Sequence, residues 1–154
     1  MAVSPVPPGY HSLTPYLIVN GATRALAWYV EAFGARELMR LVTPGGKIGH
    51  AEIAIGDSRV MLADEAPSHD ARAPGAFGGS PVSLHLYVAD VDATMARAVA
   101  AGATAKSHPE NKFYGDRLGS LADPFGHTWH IATHIEDVTI EEVERRMAAM
   151  SSPG

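Results

Sequence analysis

The sequence predicts an α+β protein made of two βαβββ modules and a closing helix. Three observations carry that class. Residues 82–103, V-S-L-H-L-Y-V-A-D-V-D-A-T-M-A-R-A-V-A-A-G-A, read as an alternating strand that runs into an amphipathic helix ended by a glycine. Residues 13–35, L-T-P-Y-L-I-V-N-G-A-T-R-A-L-A-W-Y-V-E-A-F-G-A, repeat the design, with the strand ends Val19 and Val88 69 positions apart. Each copy is then followed by short strand-like runs separated by turn residues. One module written twice places the expected ligand site between the copies.

The elements follow in order. Residues 1–9 hold three prolines and little to bury, and read as an irregular or mobile lead-in. Strand one, 13–19, sets Thr14, Tyr16 and Ile18 against Pro15, Leu17 and Val19. Pro15 has no N–H for a ladder, which puts this strand at an edge. Helix one, 22–33, spaces Ala22, Leu26, Tyr29, Val30 and Phe33 helically, and Gly34 sits where a left-handed cap is wanted. A meander follows over 37–42, 48–55 and 59–63, turned by T-P-G-G-K and by Gly56-Asp57. Residues 65–81, rich in Ala, Pro, Gly and Ser, read as a linker.

The second copy has a strand at 82–88 and a helix at 91–101, with Val91, Met95, Ala98 and Val99 inward and Gly102 as its cap. A strand at 104–108 leads through P-E-N-K-F-Y-G-D to another at 118–122. Asp123-Pro124-Phe125-Gly126 suits a type I turn into the last strand, 127–133. Thr139 and Glu142 form a capping box for a final helix. The expectation is a single domain over 1–154, with module one at about 11–64, module two at about 82–134 and the helix at about 139–150.

Composition bounds the function. A length of 154 residues suits one compact domain with a real core. The formal charge of −5 argues against nucleic-acid and anionic-membrane surfaces. There is no cysteine, hence no disulfide and no thiolate metal site. No apolar run approaches the roughly 20 residues of a membrane span. The N-terminus lacks the basic start and apolar core of a signal peptide, so a cytoplasmic protein is expected.

Two βαβββ units in a chain of this size resemble the vicinal oxygen chelate superfamily, which includes glyoxalase I, bleomycin-resistance proteins and extradiol dioxygenases. The segments H-A-E-I-A-I-G-D-S-R-V-M-L-A-D, Y-G-D-R, D-P-F-G-H-T-W and I-A-T-H-I-E-D-V resemble its PhnB-like branch. The resemblance covers about residues 13–147. It implies that the modules pair mixed sheets into an open cup, and that the protein forms a homodimer. It also implies a metal ligand from the first and fourth strand of each module, which here fall on Thr14, Met61, Ser83 and His130. Only His130 is a strong ligand among these, so the inherited metal site is expected to be absent and no cofactor is expected.

Alternation from those positions carries further residues to the same face. His85 and Tyr87 join Ser83, Tyr16 joins Thr14, and His50 and Glu52 lie opposite Ala51, Ile53 and Ile55. The expected ligand-binding set is Thr14, Tyr16, His50, Glu52, Met61, Ser83, His85, Tyr87, Tyr114, Arg117 and His130, with Glu52, His85 and His130 as catalytic candidates. Tyr114, Asp116 and Arg117 are placed in a loop beside the cup, where Arg117 could grip an anionic or carbonyl group bidentately. Each of these has a structural alternative: strand histidines and tyrosines as core or wall, Glu52 on a solvated face, Met61 as packing. Trp129 and Phe125 read as packing, and His127 and His134 as surface or C-terminal-helix contacts.

Three functions compete. The first is a small-molecule-binding protein of the glyoxalase/bleomycin-resistance type that holds its ligand without the usual metal. The alternative is a lyase or isomerase using a divalent metal relocated to a subset of His50, Glu52, His85 and His130, or a metal-free base built on Glu52 and a histidine. The third is a structural or regulatory dimer. In that case Val138, Ile140, Val143 and Met147 of the last helix would dock a partner subunit, whereas otherwise they dock on their own sheet.

Overall fold

The computed structural model of the chain describes residues 2–150. Met1, the first residue of the expected lead-in, lies outside them. The elements are β1 (Tyr16–Val19), α1 (Ala22–Phe33), β2 (Arg36–Val42), β3 (Ile48–Ile55), β4 (Ser58–Asp64), β5 (Ser83–Tyr87), α2 (Val91–Ala100), β6 (Thr104–Asn111), β7 (Asp116–Ala122), β8 (Thr128–His134) and α3 (Ile140–Met150). This is βαβββ twice and a C-terminal helix. The chain divides into two compact units. One runs to Pro81 and includes Pro124–His127; the other takes Val82–Asp123 and the chain from Thr128 onward.

The first unit holds a mixed sheet in the order β1-β4-β3-β2, with β1 parallel to β4 and the remaining pairs antiparallel. Pro15 explains why β1 is shorter than expected. Its carbonyl accepts from the Met61 amide at 2.9 Å, but it has no N–H to continue the ladder, so the strand starts at Tyr16 on the sheet's edge. α1 packs over one face of this sheet and buries Leu26, Trp28, Tyr29 and Phe33 against Leu17, Val19, Ile53 and Leu62. Val30, at helical spacing with these, is instead 46% exposed. Gly21 precedes the helix and has no side chain to cap it. Asp64 at the end of β4 does so from a distance: one oxygen accepts from the Gly21 and Ala22 amides at 3.0 and 2.7 Å, the other from Ile48 at 2.8 Å. Gly34 at φ 67° ends the helix as expected.

Residues 65–81 are more built than a linker reading allows. Single 3-10 turns at Pro67–His69 and Pro74–Phe77 follow one another, and Ala66 and Ala71 exchange backbone hydrogen bonds at 2.8 and 3.1 Å.

The second unit repeats the sheet as β5-β8-β7-β6. Asp90 caps α2 by accepting from the Ala93 amide at 3.0 Å. The buried stripe is Val91, Thr94, Met95 and Ala98, while the expected Val99 is 44% exposed. The stripe follows i, i+3, i+4 and i+7 from Val91, and position 99 falls just past its edge. β6 reaches Asn111 rather than 108, because register shifts around Ser107 carry it past Pro109. β7 starts at Asp116, so the expected loop is shorter than the sequence suggests.

α3 corrects the expectation that it docks on its own sheet. It buries no residue; Ile140, Met147 and Met150 are exposed, and Val138 and Val143 are only half-buried. Polar contacts hold it. Arg146 donates to the Phe113 carbonyl at 3.0 Å and to both Glu136 carboxylate oxygens at 3.1 and 2.7 Å. Thr139 caps it by accepting from the Glu142 amide at 3.2 Å, but Glu142 turns to Arg145 and Arg146 instead of completing the box. Among the described residues no helix is long and apolar enough to cross a membrane.

Gly115 fixes the approach to α3. At φ 99° it accepts from the Ile135 and Glu136 amides at 2.9 and 3.0 Å, and a Cβ there would collide with the Glu136 carbonyl oxygen. Gly115→Ala is therefore expected to cost at least about 1–3 kcal/mol in chemical denaturation. Gly75→Ala, with open space at its Cβ, should stay within about 0.5 kcal/mol.

Candidate functional site

Each sheet has one helix, on one face, so alternation leaves the other face for polar side chains. In the first unit Ala51, Ile53 and Ile55 are buried, and His50 and Glu52 point the opposite way, both partly exposed. Register then lines up a row on that face: Met61 is the partner of Tyr16 on one side and of Glu52 on the other. Thr14 stands just before β1, half-buried.

A hydrogen-bond chain runs along this face. The Tyr10 hydroxyl donates to one Glu52 oxygen, the other Glu52 oxygen lies 2.8 Å from His50 Nε2, and His50 Nδ1 lies 2.8 Å from the Tyr16 hydroxyl. With Glu52 ionised, the consistent assignment has His50 Nε2–H donating to Glu52 and the Tyr16 hydroxyl donating to Nδ1. The Tyr10 hydroxyl, His50 and the Arg59 charge together hold the Glu52 carboxyl below its ordinary value against a smaller opposing effect of burial. Burial, then the Glu52 charge, pushes the Tyr16 phenol up, so Tyr16 keeps its proton at neutral pH. Tyr10 and Arg59 were not legible as members. Tyr10 falls between the 1–9 lead-in and the first expected strand, with its ring under the Arg59 guanidinium at 5.0 Å.

The second unit's open face carries Ser83, His85 and Tyr87 from β5, with His130 in register beside His85. The His85 ring lies 4.9 Å from Tyr87 and 6.1 Å from His130. His130 is flanked by two serines, Ser120 Oγ at 2.6 Å from Nδ1 and Ser83 Oγ at 3.1 Å from Nε2. In its neutral form one nitrogen donates and the other accepts. Further along, buried Asp116 accepts from the Tyr87 hydroxyl at 2.8 Å and pairs with His134 Nδ1 at 2.7 Å, whose Nε2 meets Asp137 at 2.8 Å. His134 is thus a member of this face, through a carboxylate contact that its position at the end of a strand does not announce.

Two expected residues are placed elsewhere. Because β7 begins at Asp116, Asp116 and Arg117 point to opposite faces. Arg117 lies toward α2, where its Nε and Nη2 donate to the Asp92 carboxylate at 2.7 and 2.9 Å, and it does not stand with His85 and His130. Tyr114 is exposed in the preceding turn, edge-on to Phe113 at 5.2 Å. His127, in the first unit, donates Nε2–H to the Ile18 carbonyl at 3.0 Å instead of meeting α3. Trp129 and Phe125 are buried as expected.

The donors at the four inherited metal positions do not fit a divalent ion. Thr14, Met61 and Ser83 are poor ligands, and the serine hydroxyls occupy both His130 nitrogens. Among the described residues, no three His, Asp or Glu side chains are grouped to hold a metal.

The Asp116 and Asp137 carboxylates raise the His134 pKa above its ordinary value. A raised folded-state value means the stabilisation is full below about pH 6.5 and is lost as pH rises through the folded value. The stability difference between the native chain and His134→Gln should therefore shrink between about pH 5.5 and pH 9 in urea unfolding. A constant difference would show that the imidazole does not bind its proton here.

Known proteins share this architecture. An uncharacterized protein of Mycobacterium bovis is 43% identical over 146 residues, covering 93% of this chain and 94% of that protein. An uncharacterized protein of Mycobacterium tuberculosis is also 43% identical over 146 residues, covering 93% of this chain and 84% of its own. TioX from Micromonospora sp. ML1 superposes with a TM-score of 0.63 at 28% identity, over 84% of this chain and 100% of that one. The PhnB protein from Bacillus cereus shares the fold, with a TM-score of 0.62 at 16% identity over 80% and 99% of the two chains. The Glyoxalase/Bleomycin resistance protein/Dioxygenase family profile matches residues 10–131. With the doubled βαβββ order and mixed sheets, that match makes this chain a member of the glyoxalase/bleomycin resistance/dioxygenase superfamily.

Proposed function

We propose that the protein is a PhnB-like, cytoplasmic small-molecule-binding member of this superfamily, a homodimer of one domain, which holds its ligand without the inherited metal. The supporting observation is the pair of uncovered sheet faces. Tyr16 is 47% and Tyr87 60% exposed, yet each hydroxyl is fixed by a hydrogen bond to the face behind it. Rigid, oriented, half-apolar side chains are the usual means of gripping a small, partly aromatic ligand. Thr14, Met61, Ser83, His85 and His130 complete those faces. Met61 supplies apolar contact, while exposed His85 makes no hydrogen bond with the described residues.

A second reading draws on the Tyr16–His50–Glu52 chain. A carboxylate that orients an imidazole, which in turn meets a phenol, has the parts of a metal-free proton relay, with His50 carrying the proton. Solvent deuterium appearing in a bound carbonyl compound, and disappearing in His50→Gln, would distinguish catalysis from binding.

The direct test is a titration of a metabolite and antibiotic panel by intrinsic fluorescence. Tyr16→Phe and His85→Ala should each weaken a bound member by about threefold to tenfold, the worth of one hydrogen bond or ring contact. No affinity across the panel, or affinity indifferent to both changes, would overturn the proposal.

A further inference from the structure

Beside Tyr16 the first unit holds a cavity of about 450 Å³, within the range of small-molecule sites. Its floor is Tyr16, Ile18 and Ile48, and its roof is the Ala66–Ala71 bridge of the segment read from sequence as a linker. That roof is pre-organised. The two alanines exchange backbone hydrogen bonds, and Asp70 is held at φ 58°, a left-handed conformation rare outside glycine, by its amide's hydrogen bond to Pro67.

The charges at the rim are unequal in availability. Asp64 accepts from two backbone N–H groups at the start of α1 and from the Ile48 amide at the start of β3, so its charge is answered within the fold. Glu65 turns one oxygen to the Ala73 amide at 3.3 Å. Lys47 is exposed, and among the described residues no carboxylate lies within ion-pair distance of its ammonium. Thr43 beside it accepts from the Lys47 amide at 3.2 Å and leaves its own hydroxyl proton available.

We infer that this cavity binds a small amphipathic anion: an apolar, ring-sized body over Ile18 and Ile48, and a carboxylate or similar acid group at Lys47. The inference rests on the small-molecule reading above and names the ligand class for that part of the surface. A second hollow of about 390 Å³, also lined by Tyr16 and Ile18, gives a longer ligand room to extend toward Phe77.

Three isosteric probes test it on the full chain by NMR titration: 1-naphthoate, neutral 1-naphthalenemethanol and cationic 1-naphthylmethylammonium. Naphthoate should bind about twofold to fivefold more tightly than the alcohol, the worth of one exposed ion pair, and the ammonium more weakly than either. Lys47→Met, an exposed position that leaves the fold intact, should bring naphthoate down to the alcohol's affinity without changing the alcohol. Ile18→Trp, which fills the floor, should remove binding of all three, with the amide spectrum confirming that the variant is folded. Preference for the ammonium, a naphthoate preference that survives Lys47→Met, or no binding by any probe would overturn the inference. A panel compound that depends on Tyr16 and His85 but not on Lys47 would overturn it while leaving the small-molecule reading standing.

Discussion

One helix per four-stranded sheet is the constraint from which the rest follows. A strand has side chains on both faces, and α1 and α2 each cover only one face of their sheet. The covered faces take Leu17, Val19, Ile53, Leu62, Leu121 and Ile131 into the core. The uncovered faces must carry polar or amphipathic groups, and those groups must satisfy one another. The Tyr10–Glu52–His50–Tyr16 chain, the Ser120–His130–Ser83 contacts and the Tyr87–Asp116–His134 cluster are the solutions, and the described residues contain no buried side-chain polar atom left without a partner.

In the proposed function the inherited metal chemistry plays no part. A superfamily that can place a metal on this kind of scaffold here has Thr14, Met61, Ser83 and His130, and the last is engaged by serines on both sides. What remains is a pair of surfaces whose side chains are already oriented. Ordering that is complete before a ligand arrives lowers the entropic cost of binding. The roofed cavity beside Tyr16 adds depth to one of these surfaces.

Much of this was legible in the sequence, because period-two alternation and glycine or proline punctuation are local signals. The α1 limits match their expectation, Pro15 marks an edge strand, and the facing of His50, Glu52, His85 and Tyr87 follows from their apolar neighbours. What was not legible depends on contacts distant in sequence. Tyr10 directly follows a proline-rich lead-in, and its place on this face comes from Glu52, 42 residues away. Arg117 reads as a loop residue because the apolar pattern starts only at Leu118, whereas β7 begins at Asp116 and turns Arg117 toward α2. α3 has the apolar spacing of a docked helix, yet ion pairs and a carbonyl contact hold it. The 65–81 segment has the composition of a linker, and its role as a cavity roof arises only from the Ala66–Ala71 bridge.

The central claim is that these open faces bind organic ligands through fixed side chains and not through a metal. Elemental analysis of untagged protein tests it most directly, first purified without chelator and then after dialysis against zinc, manganese and nickel. The account predicts far less than one metal per chain under both conditions, unchanged in His130→Ala. Near-stoichiometric metal that His130→Ala abolishes would contradict it.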